Sequence, residues 1–150
     1  MMNNRIILID EKRLERLKNE LLNDTSILEI DGKSIQTWEE YIGAIRGVFK
    51  FPDSPACYVQ MNSNGYLDWM RDLGWFFGNN PPKNVCLIIK NYRSFLRRDR
   101  NLRSNIVEMF VSYILPWWEE EVFYCVSGGG VRRNFNVYLT DKSYGDNWDN

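Results

Sequence analysis

The sequence contains no histidine among its 150 residues, so it lacks the side chain most often used as a general acid or base and as a metal ligand. Ser-His-Asp and Cys-His catalytic systems and zinc hydrolase sites are therefore excluded in their usual form. This absence favours a protein that is not an enzyme and has no catalytic residue. No motif indicates a metal or a cofactor, so we predict neither.

Cysteines and long apolar runs are also scarce. The three cysteines, Cys57, Cys86 and Cys125, do not form a CxxC pair. Cys86 and Cys125 lie in apolar, strand-like runs and are predicted to be buried, reduced thiols. No run approaches the roughly 20 apolar residues that span a bilayer, and the short run 6–9 does not resemble a signal peptide. We therefore expect a cytoplasmic protein that does not associate with membranes.

The sequence also lacks an excess of charge of either sign, because its formal net charge is only −1. A general nucleic-acid binder is usually strongly basic, so direct nucleic-acid binding is not predicted. The arginines at 93, 97, 98, 100 and 103 form a basic cluster that Asp99 interrupts, and we interpret it as a solvated turn. Aromatic residues make up 15% of the chain, which suits both a core and a protein interface.

Hydrophobic spacing predicts helices alternating with strands. Helices are expected at 10–22, after a capping box at Thr37 and Glu40, after a polar cap at 62–64, and at 102–115 before Pro116. Strands are expected at 26–30, 85–89, 121–126 and 135–139. Strands separated by helices imply parallel pairing, whereas the Gly-rich link 128–130 implies that the last two strands are antiparallel.

The pattern also suggests how the chain is divided. Residues 1–25 are predicted to be an N-terminal helical extension, 26–140 one small domain, and 141–150 a loose acidic tail. Within the domain, the helix near residue 66 carries Asn64, Asp68 and Asp72 at four-residue spacing, which places them on one polar stripe. A solvated helix face is the plainer interpretation of that stripe.

Three pieces of this sequence, taken together, resemble the barstar family of intracellular ribonuclease inhibitors. The first is residues 30–35, Ile-Asp-Gly-Lys-Ser-Ile, followed by a helix. The second runs from Tyr58 through Asn62 to Met70, and resembles the binding loop and second helix of the family. The third is the apolar run 85–89 followed by Asn-Tyr-Arg-Ser-Phe at 91–95. The resemblance spans roughly residues 26–127, the size of one small domain.

The resemblance implies an α/β fold with a small, mainly parallel three-stranded sheet packed by helices. It also implies a partner-binding surface on the second helix and the loop before it. Tyr58 would lie against a nuclease active site, Asn62 would begin the helix, and Asp68 would occupy a substrate-phosphate position. With these we group, as partner-binding candidates, the neighbouring positions Asn64, Gly65, Leu67 and Asp72.

The sequence departs from the family pattern at three of these positions. Asn64 replaces an aspartate, Gly65 an alanine, and Leu67 a tryptophan. The expected function is an inhibitor or immunity protein, monomeric when free, that occludes a basic, toxin-like nuclease. Two alternatives stay open: an adaptor or immunity protein whose partner is not a nuclease, and an enzyme using the carboxylates of Asp68 and Asp72.

Overall fold

Four parallel β-strands form the sheet of the computed structural model, which describes residues 3–21, 24–52, 61–78 and 84–142. The strand order is β1-β4-β3-β2, and every neighbouring pair is parallel. The strands are β1 (Ile6–Asp10), β2 (Thr25–Asp31), β3 (Asn84–Lys90) and β4 (Phe135–Asp141). The central strand β3 is buried on both faces, as its continuous apolar run predicts.

The helices lie between these strands in sequence. They are α1 (Glu11–Lys18), α2 (Trp38–Val48), α3 (Ser63–Met70), α4 (Gly74–Phe77), α5 (Arg100–Met109) and α6 (Val122–Cys125), with a short 3₁₀ turn at Gly32–Ser34. The predicted Thr37 cap is confirmed at α2, whereas the return bond from Glu40 is made to the Gln36 amide and not to the Thr37 amide as in a regular capping box. The Thr37 side chain accepts a hydrogen bond from the Glu40 amide, and the Glu40 carboxylate accepts one from the Gln36 amide.

The two faces of the sheet are covered unequally. On one face, α1 packs Leu14 against Cys86, Ile88 and Tyr138. The larger core lies on the opposite face, where the remaining helices pack against Leu87, Val137 and their neighbours. The Cys86 thiol is buried in the smaller cluster, and burial raises its pKa to about 12.

The predicted α/β class and the parallel arrangement of the sheet are confirmed, but the three-stranded sheet and the antiparallel hairpin are wrong. The fourth strand is β1, which pairs with β4 in the register Ile6↔Val137 to Asp10↔Asp141. The segment 1–25, expected as a helical extension, therefore supplies an edge strand of the same sheet as well as α1. Asp141 belongs to β4, whereas residues 143–150 of the expected tail lie outside the described residues.

Residues 121–125 are helical and only Val126, which follows the end of α6, has extended backbone angles, so the hairpin has no first strand. The helix begun by α5 continues through two π-helical segments, Phe110–Ile114 and Trp117–Glu121, into α6. Pro116 does not stop it, because Pro116 lies between segments in which the ordinary hydrogen-bond ladder is already interrupted. Cys125, predicted to be buried in a strand, is exposed on α6, while Cys57 lies outside the described residues.

A four-residue repeat explains this long helix. Phe110, Ile114, Trp118 and Val122 are all buried, each four positions after the last. In a regular helix of 3.6 residues per turn such a repeat drifts around the axis, but wider π turns offset the drift. Among the described residues, no helix has the length and apolar composition that crossing a membrane requires.

Candidate functional site

The candidate partner surface is built on α3, whose start is fixed by Asn62. The Asn62 side-chain oxygen accepts a hydrogen bond from the Gly65 amide at 2.8 Å, and Asn62 itself has extended backbone angles. This is the geometry of an N-cap, which satisfies one of the free amides of the first helical turn. Of the three capping candidates at 62–64, the structure therefore selects Asn62.

The inner face of α3 is locked into the core. Tyr66 is fully buried, and its hydroxyl lies 2.6 Å from the hydroxyl of Tyr41 on α2. The Trp38 ring packs edge-on against Tyr66 with centroids 5.5 Å apart. At the other end of α3, the Trp118 indole donates to the Met70 carbonyl at 2.9 Å. These contacts hold the short helix in one orientation before any partner arrives.

The outer face of α3 presents Asp68 to solvent. Its side chain is 77% exposed, and its carboxylate lies 3.4 Å from the Arg71 guanidinium. Arg71 also donates from Nε to the Leu67 carbonyl, which keeps its side chain along the helix. An exposed ion pair of this kind contributes little to stability, so the carboxylate remains accessible to a stronger cationic partner. Asn64 is exposed on the same helix.

Asp72 does not share the helical stripe that its spacing suggests. The helix ends at Met70, and Asp72 lies in the turn before α4, where its carboxylate accepts a hydrogen bond from the Gly74 amide at 3.3 Å. The next residue, Leu73, is buried with a positive φ of 50°. Asp72 is therefore exposed near the end of α3, but its side chain is turned toward the start of α4.

The remaining candidates differ in exposure. Leu67 is half-buried and packs against the main core, so only part of it can reach a partner. Gly65 is also half-buried, and a Cβ added there would lie 3.2 Å from Cγ of Met61. The helix start is thus tightly packed against the residue that precedes its cap. Tyr58 lies outside the described residues.

A groove next to the start of α3 was not predicted from the sequence. It has a volume of about 580 Å³ and lies between Trp38, the Asn62–Ser63 helix start and one face of α5. Glu108 lines it, and the Glu108 carboxylate accepts a hydrogen bond from the Ser112 hydroxyl. Leu102, Asn105 and Glu108 are spaced three residues apart, which places them on one face of the helix. That spacing is the sequence feature from which this wall of the groove could have been predicted.

The exposed polar groups of α3 offer a surface for recognition. Within residues 3–21, 24–52, 61–78 and 84–142, no three His, Cys, Asp or Glu side chains come close enough together to hold a metal ion. The helix α3 is held rigidly against the core and carries an exposed carboxylate at Asp68 and an exposed amide at Asn64. Such an arrangement can hold a cationic group of another molecule.

Comparison with known proteins leaves the family open. No protein-family model and no curated protein matches the chain. Among solved structures, the ADP form of the ORC2 protein of Aeropyrum pernix is similar over 92% of this chain, with 11% sequence identity and a TM-score of 0.47. The matched region spans only 35% of that chain, and a likeness of this size has no bearing on function.

Proposed function

We propose that this protein is a barstar-like inhibitor or immunity protein that binds a toxin-like ribonuclease and occludes its active site with the outer face of α3. One observation carries the proposal: the Asp68 carboxylate is 77% exposed on a capped helix whose opposite face is fixed in the core. The segment that contains it is one of the three segments that together carry the family resemblance.

The physical case rests on charge and rigidity. A ribonuclease active site is cationic, because it must hold phosphate and stabilise additional negative charge in the transition state. A carboxylate held on a rigid helix can occupy such a cleft with little loss of conformational entropy. Opposite charges also speed the encounter between the two proteins and favour the correct orientation. Asp68 supplies that charge, and Tyr66 and Met70 supply the rigidity.

The proposed partner is therefore a basic nuclease, and the proposed setting is the cytoplasm of a cell that makes or meets the toxin. The inhibitor is a monomer when free. It acts by stoichiometric binding, so it needs neither a cofactor nor a catalytic residue of its own. It does not contact nucleic acid directly, because it occupies the site at which the nuclease would bind RNA.

Recovery of the partner tests this proposal. The tagged full-length chain is used to capture its partner from the source organism, and the captured protein is identified by mass. RNA cleavage by that partner is then measured with increasing amounts of the chain. We expect cleavage to stop at an equimolar ratio. A partner that still cleaves RNA at its full rate when saturated with the chain contradicts the proposal.

A partner other than a nuclease is the second candidate, and the charge of α3 favours it. Asn64 carries no charge, and Arg71 lies beside Asp68, so the exposed face is less acidic than a phosphate mimic would ideally be. In this case the same capture recovers a protein that does not cleave RNA and that still requires Asp68 for binding.

A further inference from the structure

A second polar cleft lies at the carboxyl ends of β2 and β3. Parallel strands end at the same edge of a sheet, so the connections that follow β2 and β3 leave from one edge. The connection after β2 contributes Lys33 and Gln36, and the connection after β3 contributes Ser94, Arg97 and Arg98. The cleft between them has a volume of about 340 Å³, enough for a small ligand.

The two connections are fastened to one another, so the cleft is preformed. The Gln36 side-chain amide donates to the Ser94 carbonyl at 2.7 Å, and the Leu96 amide donates to the Ile35 carbonyl at 2.9 Å. Gly32 allows the close approach, because a Cβ there would lie 2.7 Å from the Lys90 carbonyl oxygen. Leu96 is fully buried with a positive φ of 50°, which fixes the chain just before the two arginines.

Three cations converge on this cleft. Lys33, Arg97 and Arg98 are exposed, and none of them forms a salt bridge with a carboxylate of the described residues. The carboxylates next to them in sequence are already engaged. Asp31 accepts hydrogen bonds from the Lys33 amide and the Asn91 side chain, and Asp99 caps α5 through the Leu102 amide. Neither carboxylate lies within salt-bridge distance of the three cations.

We propose that this cleft binds the phosphate group of a small phosphate monoester, a sugar phosphate or a nucleotide. The phosphate lies between Lys33, Arg97 and Arg98. Guanidinium groups suit the phosphate because each can donate two parallel hydrogen bonds. The site uses no residue of α3, so it stands or falls independently of the proposed inhibitor function. The basic cluster is thus more than a solvated turn.

Titration of the full-length ¹⁵N-labelled chain with ribose phosphate, adenosine monophosphate or inorganic phosphate tests this site by NMR. The Gln36 side-chain amide and the Ser94 backbone amide should shift with ligand in a range up to about 10 mM, as expected of one weakly held anion. Ribose phosphate should bind more tightly than inorganic phosphate, because its sugar fills more of the 340 Å³ cleft. If ribose phosphate binds more tightly than adenosine monophosphate, the natural ligand is a sugar phosphate. If adenosine monophosphate binds more tightly, the natural ligand is a nucleotide.

A matched pair of variants separates the cleft from general electrostatic attraction. The variant Lys33→Gln/Arg97→Gln/Arg98→Gln should bind ribose phosphate at least about tenfold more weakly. The variant Lys12→Gln/Arg13→Gln/Arg16→Gln removes the same charge from exposed positions of α1 and should bind it as the unmodified chain does. Equal losses in both variants, or shifts no larger than those caused by chloride at the same ionic strength, would overturn the proposal.

Discussion

The hydroxyl groups of Tyr41 and Tyr66 form a 2.6 Å hydrogen bond between two fully buried rings. This bond joins α2 to the inner face of α3 and so links the core of the protein to the helix that carries Asp68. The orientation of the proposed binding surface depends on it. A substitution at either tyrosine should therefore affect both the stability of the fold and the orientation of α3.

Replacement of one partner of this pair tests its contribution. Tyr66→Phe leaves the Tyr41 hydroxyl buried without its partner and should lower the free energy of unfolding by about 1–3 kcal/mol. The double variant Tyr41→Phe/Tyr66→Phe removes both hydroxyls and should lose less than the sum of the two single variants. Urea denaturation of the four proteins measures the coupling. Strict additivity would show that the two hydroxyls do not interact.

Stability should also fall in alkaline solution. Burial raises the pKa of Tyr41 and of Tyr66 above the ordinary tyrosine value, so the folded protein keeps protons that the unfolded chain releases. Their contribution is complete below about pH 10 and is lost as the pH rises further, by up to about 1.4 kcal/mol per pH unit for each tyrosine. Denaturation curves should show a shallower decline in Tyr41→Phe/Tyr66→Phe. An unchanged slope in that variant would contradict this origin.

The N-terminal segment should be essential to the fold because Asn4 joins three parts of the chain. Its side chain donates to the carbonyls of Leu115 and Arg133 and accepts from the Phe135 amide. Asn4→Ala should therefore lower the free energy of unfolding by about 2–4 kcal/mol. The exposed neighbour gives a matched control, since Asn3→Ala should change it by less than about 0.5 kcal/mol. Equal small effects would mean that the segment is an appendage.

Two glycines should respond in opposite directions to the same substitution. In Gly32→Ala the new Cβ would meet the carbonyl oxygens of Lys90 and Asn91 at 2.7 and 2.8 Å, so stability should fall by about 1–3 kcal/mol. Gly43 lies within α2 with no atom near its Cβ position, and Gly43→Ala should stabilise the protein by about 0.5–1 kcal/mol. Thermal unfolding of both variants checks the contrast, and a stable Gly32→Ala protein would contradict the close packing.

Much of the local structure could be predicted because its cause is local. The Thr37 cap, the Asn62 cap and the doubly buried strand at 85–89 each follow from a few adjacent residues. The exposure of Asp68 follows from the buried positions of Tyr66 and Met70 on the same helix. In each case the side chains that decide the conformation lie within one or two turns of sequence.

The errors have long-range causes. The strand at Ile6–Asp10 is short, and only its pairing with β4, more than 120 residues later, makes it a strand. Residues 122–126 have an apolar composition with two valines and two aromatic rings, yet 122–125 continue a helix because Val122 extends the buried row that contains Trp118. The cleft formed by Lys33 and Arg97 depends on which strands are neighbours. Sequence spacing alone does not provide that information.

The central claim, that α3 is a preformed anionic binding surface, is tested most directly by the affinity of the captured partner for two variants. Asp68→Ala and Glu15→Ala each remove an exposed carboxylate that pairs with a cation three residues later in its own helix. Asp68→Ala should weaken binding by at least about 2 kcal/mol, the range of an interface hot spot. Glu15→Ala should change binding by less than about 0.5 kcal/mol. Equal effects of the two substitutions, with both variants folded, would contradict the account.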